Sequence, residues 1–234
     1  MMAALAGVLL DVDGTLVDSN DAHAYAWVEA LAEHGVKVEF AAVRRLIGKG
    51  GDKLLPEVAG IESDSKKGKA IGERRAEIFQ KGYLPKLGPT PGARQLLSRL
   101  TASGLKLAVA SSAKEDELAG LLRVCGADEV VQASTSSDDA ENSKPDPDII
   151  HVALAQLGES ADRVILLGDT PYDVEAALKA GVRVVALRCG GWGDADLSGA
   201  LRVYDDPADV VRQFENSPFA ASNDSIRRGA EEKP

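Results

Sequence analysis

Two aspartates one residue apart, Asp11 and Asp13, end the short apolar run Val8-Leu9-Leu10 and precede Gly14 and Thr15. Carboxylates at the end of a buried strand are costly unless a cation or hydrogen-bond donors meet them. Two together also repel, which calls for positive charge between them. Gly14 gives the chain freedom to turn sharply past the pair. Complementary chemistry stands at three further places. Ser111-Ser112 follow Leu107-Ala108-Val109-Ala110, and Lys144 lies in Ser143-Lys144-Pro145-Asp146-Pro147-Asp148. Gly168-Asp169 follow Ile165-Leu166-Leu167, with Asp173 four residues further on. The carboxylates suit a hard, oxygen-ligated cation such as Mg²⁺. The hydroxyls, the ammonium and helix-start amides suit a phosphoryl group.

Such groups need a scaffold that brings them to one rim. Helical periodicity covers residues 21–34, with Tyr25, Val28, Leu31 and Ala32 on one face. Further helices are expected over 41–47, 52–59 and 65–82, and no strand between 20 and 85. The Pro/Gly-rich segment 85–92 marks a boundary, after which Thr90 caps a helix opened by Pro91. Strands over 105–110, 129–132, 164–167 and 182–187 then alternate with helices over 114–124, 147–157 and 171–180. A last helix spans 207–216, and a polar tail expected to be disordered follows from Ser217. This rhythm predicts an α/β fold, a doubly wound, Rossmann-like parallel sheet with an inserted all-helical cap. The core comprises residues 1–18 and 86–216, the cap 19–85 and the tail 217–234. Ligands of such a sheet bind beyond the carboxyl ends of its strands, where the four polar groups fall.

Taken singly, each group has a plainer reading. Asp13 suits an Asx-turn, Ser111 a helix cap, Lys144 a solvated surface and Asp173 the favourable start of a helix dipole. Taken together and in order, they resemble the four motifs of the haloacid dehalogenase-like hydrolase superfamily. Asp11-Val12-Asp13-Gly14-Thr15, Ser111, Lys144 and Gly168-Asp169-Thr170-Pro171-Tyr172-Asp173 carry the likeness. The helical insert is similar to the small cap of the phosphoglycolate phosphatase and β-phosphoglucomutase branch. The resemblance implies that Asp11 is the nucleophile, Asp13 the general acid and base, and Lys144 a catalytic cation. It further implies phosphoryl contacts from Ser111, Ser112 and Lys144, and Mg²⁺ held by Asp11, Asp13 (through its backbone carbonyl), Asp169 and Asp173.

His23 lies at the distance past the first motif where the mutase branch has a histidine that aids proton transfer. With Lys49 and Gly50 it joins the expected substrate contacts, and Lys53 is a further cation of that loop. His23 and Trp27 are expected toward the polar side of their helix. The mutase branch grips a second phosphate with an arginine where this chain has Gly48-Lys49-Gly50-Gly51. A phosphatase for a small phosphorylated metabolite is therefore the leading expectation. A phosphosugar mutase and a non-catalytic phosphate-binding protein are the alternatives. The loop 189–193 reads as structural.

A formal net charge of −10 argues against sequence-independent nucleic-acid binding. Cys125 and Cys189 stand far apart, which suits reduced thiols rather than a zinc or redox pair. No signal-peptide pattern and no apolar run of about 20 residues occur, so a soluble cytoplasmic monomer or homodimer is expected.

Overall fold

The computed structural model describes residues 4–220. Six strands, β1 (Gly7–Leu10), β2 (Lys106–Ala110), β3 (Ala133–Thr135), β4 (Val164–Gly168), β5 (Arg183–Leu187) and β6 (Arg202–Tyr204), form one sheet. Their order is β3-β2-β1-β4-β5-β6, and every pairing is parallel. The strands are apolar on both faces, as a sheet covered on both sides requires. Alternation along each strand then divides the core. Val8, Leu10, Leu107, Val109, Ile165, Leu167, Val185 and Leu187 face one layer. Leu9, Ala108, Ala110, Leu166, Val184 and Ala186 face the other.

Helices α5 (Ala93–Ala102), α6 (Glu115–Cys125) and α9 (Pro207–Arg212) cover the first face. Helices α7 (Asp148–Leu157) and α8 (Pro171–Lys179) cover the second. Between β1 and β2 stand α1 (Asn20–Glu33), α2 (Phe40–Arg44), α3 (Gly51–Ala59) and α4 (Lys66–Ile78), the last running into a wider π turn at Phe79–Tyr83. α1 packs on α2 and α4. Their buried side chains, Trp27, Leu31, Val43, Leu54, Ile71 and Phe79 among them, continue the core of the first face.

Several expectations are corrected. The strand placed at 129–132 begins instead at Ala133, because the amides of Val130 and Val131 are used locally by Ala127 O. The short edge strand β6 escapes the sequence pattern, its three residues being too few to show alternation. Thr90 does not cap α5: the helix starts at Ala93, after Gly92, and the Thr90 carbonyl accepts the Ala93 amide. On α1, Tyr25 and Ala32 are exposed while His23, Trp27, Ala30 and Leu31 are buried. Packing against both α2 and α4 rotates the buried stripe of α1, and Tyr25 instead lies against Phe40 and Tyr83. The last helix ends at Arg212, with a separate short turn at Phe214–Asn216.

Residues 217–220, expected in the tail, pack against the core instead. Ser217 and Phe219 are buried, and Phe219 belongs to the core of the first face; residues 221–234 lie outside the described residues. Replacing a fully buried aromatic side chain by alanine costs about 3–5 kcal/mol. Phe219→Ala is therefore expected to lower the unfolding free energy by about that amount in urea denaturation. An unchanged midpoint would return this segment to the tail.

Candidate active site

β1 and β4 are the paired neighbours at which the strand order reverses, so both carboxyl ends open on the crevice of the sheet. Asp11 follows β1, its amide still donating to Leu167 O at 2.9 Å. Asp169 follows β4, and α8 starts beside it. The loop before α7 delivers Lys144, which is fully buried.

Lys144 Nζ donates to Asp11 Oδ1 at 2.6 Å and to Asp173 Oδ1 at 2.7 Å. A capping box fixes Asp173: Thr170 Oγ1 donates to its Oδ2 at 2.6 Å, and the Asp173 amide donates back at 3.2 Å. Asp173 is thus both a helix-start carboxylate and the second counter-ion of Lys144. Asp11, Asp169 and Asp173 each offer an oxygen within 4.8 Å of the others. Burial, then the charge of Asp173, pushes Asp11 up to about 7 against the pull of Lys144. Burial, then Asp11 and Asp173, lifts Asp169 well above the usual carboxylate range. Burial alone would lower Lys144, but the two carboxylates outweigh it and raise its pKa.

One ammonium therefore faces three buried carboxylates, an excess of negative charge that a hard divalent cation fits. Two residues that sequence reasoning passed over complete this wall. Thr15 Oγ1 lies 2.8 Å from Asp169 Oδ1 and 3.1 Å from Asp11 Oδ2. Asn20 Nδ2 donates to Asp169 Oδ2 at 2.9 Å, while the buried Asn20 Oδ1 has no partner among the described residues. Thr15 stood in the first motif; no spacing marked Asn20. Gly14 turns at φ 77°, and a Cβ there would meet Asp169 Oδ2 at 2.2 Å. A Cβ at Gly190 would meet the same oxygen at 2.0 Å, so the loop read as structural also bounds the site.

Asp13 points elsewhere, and its carboxylate is not part of the acidic cluster; only its backbone carbonyl is left to serve a metal. Ser19 Oγ donates to Asp13 Oδ1 at 2.5 Å, and His23 Nε2 lies 2.6 Å from the same oxygen. Burial pushes Asp13 up, but His23, Ser19 and Arg75 outweigh it and hold the carboxyl below its usual range. An ionised carboxylate only accepts, which puts the proton on Nε2. His23 is buried and stacks on Phe79 with ring centroids 3.9 Å apart, correcting its expected place on the polar side of α1. The same holds for Trp27, which is buried too. Beyond His23, Arg75 Nη2 lies 3.4 Å from Nδ1, and Arg75 Nη1 donates to Glu117 Oε2 at 2.5 Å.

The remaining expected contacts divide. Ser112 lines the chamber above Asp11 and Asp13, whereas Ser111 Oγ accepts the Ala113 amide at 3.1 Å and holds the turn. Gly50 N donates to Ser143 Oγ at 3.0 Å, which ties its loop to the segment carrying Lys144. Lys49 lines the chamber but its ammonium is 2.5 Å from Glu57, and Lys53 pairs with Asp146 at 2.7 Å.

The family model for haloacid dehalogenase-like hydrolases matches residues 8–187. The chain is 32% identical over 212 residues to phosphoglycolate phosphatase of Rhodospirillum rubrum, covering 87% of this chain and 88% of that one. It is 28% identical over 183 residues to validoxylamine A 7′-phosphate phosphatase of Streptomyces hygroscopicus, covering 76% and 84%. The crystal structure of a hydrolase from Pseudomonas syringae matches with a TM-score of 0.83 at 28% identity, covering 91% and 98%. Among the described residues no helix is long and apolar enough to cross a membrane.

A cation entering the acidic cluster must displace protons that burial keeps on Asp11 and Asp169. Its affinity therefore rises with pH as these groups ionise, and falls below about 7. Thermal unfolding is expected to show a larger stabilisation by MgCl₂ at pH 8 than at pH 6, and none in Asp169→Asn. Equal stabilisation in both proteins would place cation binding elsewhere.

Proposed function

The chain belongs to the haloacid dehalogenase-like hydrolase family and hydrolyses phosphate monoesters, and we propose that it does so with Mg²⁺, through a phosphoryl group carried on Asp11. The observation that carries this reading is a buried Asp11 held by Lys144 beside an Asp13 carboxylate that His23 Nε2 meets at 2.6 Å. Asp11 and Asp169, with the carbonyl of Asp13, would hold the metal, and Asp173 stands behind them. When bound, the ion adds positive charge against the phosphoryl oxygens.

The chain's own residues do the rest. Asp11 attacks phosphorus; the bond to Asp11 forms as the bond to the ester oxygen breaks. Lys144 draws Asp11 toward its ionised form against the effect of burial, holds it in place, and offsets charge as the dianion approaches. Asp13 takes up a proton and passes it to the leaving oxygen, while His23 Nε2 and Ser19 Oγ hold its carboxyl group in place. Asp13, anionic again, takes a proton from water, and that water attacks phosphorus, releasing phosphate and restoring Asp11. Ser112 and the Ser111 turn stand where the phosphoryl oxygens would lie.

We assign residues 19–85 as a cap over a core of residues 1–18 and 86–216. In support, the chamber over Asp11 and Asp13 is lined by both parts, with His23, Trp27, Lys49 and Arg75 from the insert and Ser112 and Glu117 from the core. The loop that grips a second phosphate in a mutase has no free cation here, since Lys49 pairs with Glu57 and Lys53 with Asp146. That favours water over a second sugar as the final acceptor. Relatives are named for phosphoglycolate and for validoxylamine A 7′-phosphate. Kinship therefore leaves the leaving group open.

Asp11→Asn keeps the shape but removes the nucleophile, and is expected to lower p-nitrophenyl phosphate turnover by at least about a thousandfold. Chelation by EDTA should abolish wild-type turnover, and added Mg²⁺ should restore it. Full activity of Asp11→Asn would contradict the covalent route.

A further inference from the structure

Beside the inner chamber lies a groove of about 850 Å³ between α3, α4 and the start of α6. Trp27, Gly51, Arg75, Ser112, Ala113 and Glu117 line both spaces, so a leaving group on a phosphate held at Asp11 would extend into the groove. Its wall carries nine carboxylate side chains against Lys69, Arg75 and Lys114. Asp64, Glu73, Glu115, Asp116, Asp138 and Glu141 of that wall form no ion pair among the described residues. Glu115, Asp116 and Glu117 occupy the first turn of α6, where their charge offsets the positive helix end that would otherwise attract an anion.

At the junction of the two spaces stands the pair Arg75–Glu117. Its charges cancel across 2.5 Å, and the guanidinium lies over the rings of Trp27 and Phe79. Each partner keeps one unused group. Glu117, 2% exposed, has no hydrogen-bond donor on Oε1, and His23 Nδ1 stands 3.9 Å away. Arg75 has no acceptor on Nε, and Ser112 Oγ in the same wall has no partner among the described residues. A buried acceptor without a donor is costly, and a ligand hydroxyl answers an unused acceptor and an unused donor at once. A carboxylate or second phosphate only accepts; it would leave Glu117 Oε1 unanswered and place like charges together.

We propose that Arg75 and Glu117 are the specificity-determining pair of this enzyme, selecting phosphate monoesters of neutral, hydroxyl-bearing alcohols and rejecting leaving groups that carry an anion. The proposal rests on the phosphatase reading above and adds the class of alcohol. Phosphoglycolate, whose leaving group bears a carboxylate, is on this account a poor substrate.

Glycerol 3-phosphate and 3-phosphoglycerate make a matched pair, differing in a terminal hydroxymethyl against a carboxylate. With p-nitrophenyl phosphate as reference, kcat/KM for glycerol 3-phosphate is expected to exceed that for 3-phosphoglycerate by at least about tenfold. The gap should narrow as ionic strength rises, because the exposed carboxylates of the groove are screened. In Glu117→Gln, which frees the charge of Arg75, the ratio should fall by about threefold or more through a lower KM for 3-phosphoglycerate. A ratio near one or reversed in the wild type, or unmoved in Glu117→Gln, overturns the assignment. So does turnover of p-nitrophenyl phosphate alone. Loss of turnover on all three esters overturns the phosphatase reading beneath it.

Discussion

The site depends on one buried ammonium. Lys144 lies wholly out of water, and its attraction to Asp11 and Asp173 must offset the cost of burying all three charges. That requirement fixes three distant segments at once: the end of β1, the loop before α7 and the first turn of α8. Each anchor is itself held, Asp173 by the capping box with Thr170 and Asp11 by the β1–β4 pairing. Removing either partner would leave a buried charge unanswered, which costs about 3–5 kcal/mol in measured cases. Stability and reactivity of the rim therefore share one interaction.

A second line of charge runs outward from Asp13 through His23 and Arg75 to Glu117. It joins the core to the helices between β1 and β2, since His23 stands on α1, Arg75 on α4 and Glu117 on α6. Gly50 to Ser143 and Lys53 to Asp146 add ties between the same parts. On the proposed mechanism, this line couples the recognition of the leaving group to the orientation of its proton donor.

Much of this was legible in the chain because strand ends announce themselves. Apolar runs of three or four residues ahead of Asp11, Ser111 and Asp169 placed three groups on one rim without any contact being known. Lys144 and Asp173 followed from their neighbours in sequence. What could not be read were pairs set by packing between helices. Arg75 and Glu117 are charged residues in charged stretches, and only the approach of α4 to α6 brings them together. Asn20 and Gly190 act through close approach to Asp169, which no local pattern encodes. The expectation for His23 rested on its distance from the first motif; the side chain does meet Asp13, but from the buried side of its helix rather than the polar one. The alternation on α1 is ambiguous until both α2 and α4 are packed on it.

The central claim is that Asp11, held in place by Lys144, is the one residue that takes the phosphoryl group. Quenching the enzyme with borohydride during turnover reduces an acyl phosphate to the alcohol, so a phosphorylated aspartate becomes homoserine. Peptide mapping by mass spectrometry is predicted to find homoserine at position 11 alone, and only when substrate is present. Homoserine at position 13 or 169, or at no position during active turnover, would contradict the account.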